Sequence, residues 1–324
     1  MRRAAFACAL VVAAGLHAQE PAASPMSPPA DAGQSVVRAR RKKGVHETTV
    51  AADEARLVPG TQGDPLKVVQ DLPGVARAAF GRGDIVVWGA APRDTRVLVD
   101  GVEVPMLYHL GGFRSVVGAG LVDAVTLVPG AFGADVGRGI GGVVDVTTRA
   151  LDPEGARSPR GEASVDPIDA GAQVAFSPHE RVRVVVAGRA SLLDLWWPAV
   201  VPTGVGDFVS VPRALDAQVK ATVALRAREE LTVGLLAARD ALSRTVASVD
   251  PTRTRSDERE AAFARLYARY TRRGGGHGVH ATAWLGLDER STTTTTGAVP
   301  ASLAVSTPLA GARMFLRQRI LPAL

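Results

Sequence analysis

The 324-residue chain is nearly without cysteine, poor in aromatic residues at 5%, and has no apolar run as long as the roughly 20 residues that a membrane-spanning helix needs. Its single cysteine, Cys8, sits in the apolar N-terminal stretch, followed by most of that stretch, a position unlike a lipoprotein acylation site. The rest of the chain therefore has neither a disulfide nor a thiolate metal site. The apolar residues are mostly Ala, Val and Leu, and 34 glycines with 21 prolines interrupt them throughout. Long helices are disfavoured by that composition, and turn-rich β structure is favoured. A strong charge of one sign is also missing, because 38 Lys and Arg stand against 32 Asp and Glu for a net +6. The basic residues are mainly arginines, spread in alternation with apolar ones. A nucleic-acid binder clusters them on one face with aromatic stacking partners, so nucleic acid is not expected as a partner.

Catalytic signatures are equally scarce. There is no Gly-x-Ser-x-Gly elbow, Walker A loop or His-Glu-x-x-His helix. Asp84, Asp94, Asp100, Asp123 and Asp145 are scattered, with no spacing that marks a general acid and base. The stretch from Gly137 to Gly142 matches a dinucleotide-binding spacing, but β-branched Val143, Val144 and Val146 follow it, where that motif needs a helix N-terminus. His277 and His280, three apart on a strand, face opposite sides and do not make a metal pair. The chain is expected to be no enzyme and to carry no cofactor.

What is present divides the chain into four parts. Residues 1–18 read as a secretory signal peptide: Arg2 and Arg3 are positive, Ala4 to Leu16 are apolar, and Ala18 is small. Loss of the two arginines lowers the net charge from +6 to +4. Residues 19–44 read as a flexible linker, rich in Pro, Ala and Ser from Glu20 to Gln34. Its basic run from Arg38 to Lys43 is either a solvated face or a contact with anionic lipid or a periplasmic partner.

From 45 to 149 the texture is α+β. Strands are expected at Ile85 to Trp88, Arg96 to Asp100, Ala124 to Val128 and Val143 to Thr147. A short helix fits Asp64 to Asp71, with Asp64 as the cap and Pro65 at the first position. A second helix or turn is expected at Gly112 to Ala119. Val97, Val99, Val125 and Leu127 are the expected core, and Gly74, Gly101 and Gly130 mark bends.

From 161 to 324 the pattern alternates with period two. Val182, Val184 and Val186 stand opposite Arg181 and Arg183. Ala217, Val219, Ala221, Val223 and Leu225 alternate with Gln218, Lys220 and Thr222, and the pattern returns at 231–235 and 279–287. Short turns at 177–180, 228–230 and 272–277 alternate with polar stretches at 192–213, 242–258 and 289–302, which read as long loops. That is the layout of outer-membrane β-barrels. Trp196, Trp197, Tyr267, Tyr270 and Trp284 fall near the expected strand ends, where aromatic rings suit a membrane interface.

These residues resemble a known family. Gly63 and Asp64, Leu72-Pro73-Gly74-Val75, Val99-Asp100-Gly101-Val102, Val128-Pro129-Gly130, Gly137-Arg138-Gly139 and the stretch Gly141 to Arg149 follow the order and spacing of the plug domain of TonB-dependent receptors. Val165 to Gly171, Arg189 to Asp194 and Asp216 to Lys220 are similar to the first barrel strands of one subgroup. Two positions depart from the pattern: Trp88 precedes Gly89 where many plugs carry arginine, and Val136 precedes Gly137 where an aromatic residue is usual.

The resemblance implies an α+β plug domain followed by an antiparallel β-sheet that forms an incomplete transmembrane β-barrel in the outer membrane. Residues 161–324 can supply only about seven to nine of the 22 strands that the family implies. The implied function is energy-coupled uptake of a scarce ligand such as a metal chelate. The implied partners are the inner-membrane TonB complex, outer-membrane lipid and that small ligand. Ligand contact is expected at Tyr108, His109 or Arg114, and coupling to TonB at Glu47, Thr48, Thr49 and Val50, with 35–39 as an alternative. Arg93, Arg96, Arg114 and Arg138 are candidates for ion pairs between plug and wall. The rival reading is a soluble periplasmic binding module whose second half is a β-sandwich.

Overall fold

The computed structural model describes residues 47–77, 83–110, 112–132, 136–137, 140–149, 159–201, 211–246, 248–274 and 277–318. The expected signal peptide, linker, basic run and Arg138 lie outside the described residues, as does the alternative coupling segment at 35–39.

Within the compact unit 42–324, the plug begins with strand β1 (Thr48–Ala51) and helix α1 (Ala52–Leu57), then a 3-10 helix at Pro65–Asp71. The 3-10 helix stands where a helix was expected. Asp64 caps it by accepting from the Leu66 amide at 3.1 Å, with proline at the first position. Short strands β2 (Val75–Arg77) and β3 (Ile85–Val87) form a hairpin of their own. The main plug sheet is built from β1 with β4 (Thr95–Val99), β5 (Val102–Val104), β6 (Val122–Val128) and β7 (Gly142–Thr148). Its order is β1-β6-β7-β4-β5, and β4 with β7 is its parallel pair.

Alternate residues of these strands point into one core. Val97, Val99, Val125, Leu127, Val144 and Val146 are buried against Ala52, Ala55, Leu66 and Val69 from the helical side. Gly142 opens β7, so the glycine-rich run leads into a strand. The stretch from 112 to 118 forms no helix: it is a bend, with a 3-10 turn following at Ala119–Leu121.

At two of the three expected bends the glycine itself has a left-handed backbone. Val99 pairs with Val102 across Asp100 and Gly101, at φ +52° and +82°, so this two-residue hairpin has positive φ at both central positions. Gly74 has φ +83°, and a side chain there would also lie about 1.9 Å from the Trp88 indole. Gly74→Ala is therefore expected to destabilise the plug by about 2–3 kcal/mol in thermal unfolding. Trp88→Arg is expected to change it by less than about 1 kcal/mol, because Trp88 is 61% exposed. At the third expected bend the left-handed residue is Ala131, φ +53°, and not Gly130.

The second half is one antiparallel sheet of eight strands in sequence order. They are β8 (Arg160–Val165), β9 (Asp169–His179), β10 (Val182–Ser191), β11 (Val211–Arg226), β12 (Glu229–Val246), β13 (Arg255–Arg273), β14 (His277–Thr296) and β15 (Val299–Gln318). Among the described residues β8 and β15 are its edges and do not pair, so the barrel is not closed. The faces are inside out relative to a soluble sandwich. Val219, Leu235, Leu266, Leu285 and Leu287 are exposed on the outer face, while Asp216, Gln218, Thr232, Asp240 and Arg265 are buried toward the plug. A β-sandwich would have buried the first set.

Three expectations about this half are corrected. The polar stretches 242–258 and 289–302 are mostly strand: β12 and β13 are joined at 247–254, and β14 and β15 by two residues, Gly297 and Ala298. These stretches lack apolar alternation, yet each of their strand positions pairs with a neighbour, and β-branched Thr292 to Thr296 suit extended backbone. The long connection 192–210 contains helix α2 (Leu193–Val200), whose Trp196 donates to the Pro167 carbonyl at 2.6 Å. Tyr267 and Trp284 lie well inside their strands and point inward, packing against Val102. Gly234 and Gly311, directly across from them, leave room for the two rings, since a side chain at either would overlap ring atoms at about 2.4 and 2.2 Å.

Candidate functional site at the seam of plug and wall

The loop between β5 and β6 folds back on itself. The Val116 amide donates to Leu107, the His109 amide to Arg114, and the Gly112 amide to His109, each at 2.9 Å. Asp64 pins this loop to the 3-10 helix, because it accepts from the Ser115 amide at 2.7 Å and the Ser115 hydroxyl at 2.9 Å as well as from Leu66. Tyr108 is turned into the core and donates its hydroxyl to the Leu66 carbonyl at 2.7 Å.

The side chain of His109 reaches the wall and is 3% exposed. Its Nδ1 is 2.5 Å from Asp240 Oδ1 and its Nε2 is 3.1 Å from Asp216 Oδ2. The Leu110 amide donates to the other Asp240 oxygen at 2.8 Å, and Arg189 donates its Nε to Asp216 at 2.9 Å. Burial opposes a charge on the ring, but hydrogen bonds to the two carboxylates outweigh it and push the His109 pKa up to about 9. Arg114 donates its Nε to Asp169 at 2.6 Å and also pairs with Asp166. Asp166, in the turn between β8 and β9, is held below the usual carboxylate range. Burial works against this, and the Asp169 and Ile168 amides together with Arg114 overcome it.

Nearer the short turns of the sheet the signs reverse. Asp100 is an anion of the plug, its side chain 1% exposed, facing cations of the wall. Arg269 lies 3.3 Å and Lys220 3.8 Å from it, and Lys220 also donates to the Arg149 carbonyl at 2.8 Å. Arg313 donates to the Gly101 carbonyl at 3.4 Å, and buried Arg265 donates to the Glu103 carbonyl at 2.8 Å. Asp100 also accepts from the Thr148 amide at 3.0 Å. Plug cations thus meet wall anions at one level, and a plug anion meets wall cations at the other. Between the two levels the wall adds apolar Leu236, Ala238 and Phe263 to the plug core.

Of the residues singled out from sequence, Tyr108, His109 and Arg114 come together here, and the structure buries all three. Of the arginines expected to tie plug to wall, Arg114 does so. Arg96 instead pairs with Glu103 inside the plug, and Arg93 lies beside its neighbour Asp94 with its side chain 87% exposed. Thr48, Thr49 and Val50 form β1, the sheet edge paired with Leu127, Thr126 and Val125, and Glu47 directly precedes it. Sequence reasoning did not find Asp100, Arg189, Asp216, Asp240, Arg265, Arg269 and Arg313 as seam residues. For the six wall residues the signal is a charged residue at an inward position of an alternating strand, while Asp100 stands in the turn between β4 and β5.

A plug packed on the polar, inner face of an outward-apolar sheet defines the class of outer-membrane wall and plug proteins. Residues 43–143 match the protein-family model for the TonB-dependent receptor plug domain. Residues 43–143 are therefore a TonB-dependent receptor plug domain. Among solved structures the chain is similar to the outer-membrane transporter YddB of Escherichia coli, at 13% identity and a TM-score of 0.55, over 83% of this chain and 45% of that one. It also matches a mutant of the ferric enterobactin receptor PfeA of Pseudomonas aeruginosa at 14% identity and a TM-score of 0.47, over 86% and 56% of the two chains. The siderophore receptor PirA of Acinetobacter baumannii matches at 13% identity and a TM-score of 0.46, over 83% and 48%. The chain thus spans about half the length of these structures. No curated protein matches it.

Proposed function

We propose that the chain is part of a receptor for energy-coupled uptake of a scarce ligand such as a metal chelate, working with the inner-membrane TonB complex and outer-membrane lipid. The observation that carries this reading is the seam. A folded domain fills the inner face of the wall through hydrogen bonds and ion pairs, contacts that can be exchanged for water when the plug moves. The sandwich alternative has no support from the outward apolar face. PfeA and PirA are named for ferric enterobactin and siderophores, and a ferric chelate is the ligand class to try first. A strain lacking the receptor, offered labelled ferric chelates one at a time, should lose uptake of at least one. The same loss is expected when TonB is removed, and uptake of every chelate at the parental rate in both strains would overturn the proposal.

In this reading residues 1–18 are the export signal, 19–44 a periplasmic linker, 45–149 the plug and 161–324 the first part of the barrel. Tyr108, His109 and Arg114 serve the ligand by holding the 107–116 loop in shape, since they are at most 9% exposed. Glu47, Thr48, Thr49 and Val50 serve coupling as a short edge strand that tension on the preceding chain can strip from β6. Deletion of 45–50 spares the buried Ala52 and Ala55. In the full-length receptor it is expected to abolish uptake while leaving ligand binding at the cell surface intact. Normal uptake by the deletion would remove this segment as the coupling site.

A further inference from the structure

We propose that His109 is the bolt that keeps the plug seated against the wall, and that it holds only while its ring carries both protons. The geometry requires this. Both ring nitrogens face carboxylate oxygens, Asp240 at 2.5 Å and Asp216 at 3.1 Å. A neutral imidazole donates from one nitrogen only, so its other lone pair would be aimed at an anion. With the ring charged, each nitrogen donates to its own carboxylate, and such bonds are roughly twice as strong as neutral ones. The site is built for a cation: His109 and Arg189 offset Asp216 and Asp240, and the Leu110 amide occupies the remaining Asp240 oxygen. Removing the ring proton leaves one buried anion in excess, the costly case for a buried ion pair.

The bolt joins separate elements. His109 belongs to the plug loop, Arg189 to β10, Asp216 to β11 and Asp240 to β12. The other charged groups of this region are Arg114 on the same loop, Asp166 and Asp169 from the β8–β9 turn, and Asp64 beneath Ser115. Carboxylates and guanidinium groups ordinarily titrate well outside pH 6 to 10, so a transition in that window reports the ring. The sign follows from a folded value of about 9 against the ordinary 6.5 of a histidine side chain. The stabilising contribution is complete below about pH 6.5 and is lost as pH rises through about 9.

The test is hydrogen exchange of the intact receptor in outer-membrane vesicles between pH 6 and 10, read as protection factors so that the intrinsic rate is removed. In the unsubstituted protein, protection of 107–116 should be level up to about pH 8 and fall at least tenfold by pH 10, while the hairpin 97–104 stays protected. His109→Gln should show at least tenfold lower protection of 107–116 already at pH 7, with no pH dependence. Asp240→Asn leaves the ring one carboxylate, and the fall should begin at least one pH unit lower. It decides the matter if the glutamine variant also loses protection at 97–104 through misfolding. Level protection of the unsubstituted loop to pH 10, or an unshifted transition in Asp240→Asn, overturns the proposal.

Discussion

Asp100→Ala is expected to loosen the end of the plug near the short turns of the sheet, at a cost of about 3–5 kcal/mol, and to raise hydrogen exchange across 95–104 and 142–148 in the membrane-inserted protein. Two effects add. Alanine is disfavoured at the left-handed backbone of residue 100, φ +52°, by about 1–2 kcal/mol. The larger effect is electrostatic, because Arg269 and Lys220 are left in the seam without the carboxylate they face, and the Thr148 amide loses its acceptor. Asp100→Asn keeps a side chain tolerant of that backbone and an acceptor for Thr148, so it should cost less than half as much. Equal effects of the two substitutions would show that the lost charge does not matter.

The other large effect is expected from Asp64→Ala. This buried carboxylate accepts from the Leu66 amide, the Ser115 amide and the Ser115 hydroxyl, and so joins the cap of the 3-10 helix to the 107–116 loop. Alanine leaves the Leu66 and Ser115 amides unsatisfied in a buried site, while the Ser115 hydroxyl keeps the Val117 carbonyl as its acceptor, a loss of about 2–5 kcal/mol at roughly 1–3 kcal/mol for each amide. Thermal unfolding should show the loss, and exchange should rise together at 64–72 and 107–117. Ser115→Ala removes one of the three bonds and should cost about 1 kcal/mol. A change under 1 kcal/mol in Asp64→Ala would mean that the loop is held by other contacts.

Much of this fold was legible in the sequence because its signals are local. The Asp64-Pro65 start, the Asp100-Gly101 hairpin and the alternation of Val219, Ala221 and Val223 against Gln218, Lys220 and Thr222 each depend on neighbours in the chain, and each is found in the structure. The strand extensions past 242 and 289 were not legible, since a strand whose two faces both meet water has no apolar period to read. The seam was half legible. Tyr108, His109 and Arg114 stood out as polar and aromatic residues in one loop, but their partners lie far away in sequence, His109 being 107 and 131 residues from its two aspartates. Pairing of that range comes from the register of β11 and β12, which no single strand specifies.

The reversal of sign between the two levels of the seam has a consequence for assembly. Asp240 and Arg269 lie about eight positions apart along paired strands, roughly 26 Å at 3.3 Å per residue. A plug entering upside down would bring His109 and Arg114 toward Lys220, Arg269 and Arg313, and Asp100 toward Asp216 and Asp240, so like charges would meet at both levels. The apolar contacts of Leu236 and Phe263 are far more tolerant of direction than this pairing is. The charges therefore work as a key that admits the plug one way round, and shifting it by a strand or by half the wall height would also break the match.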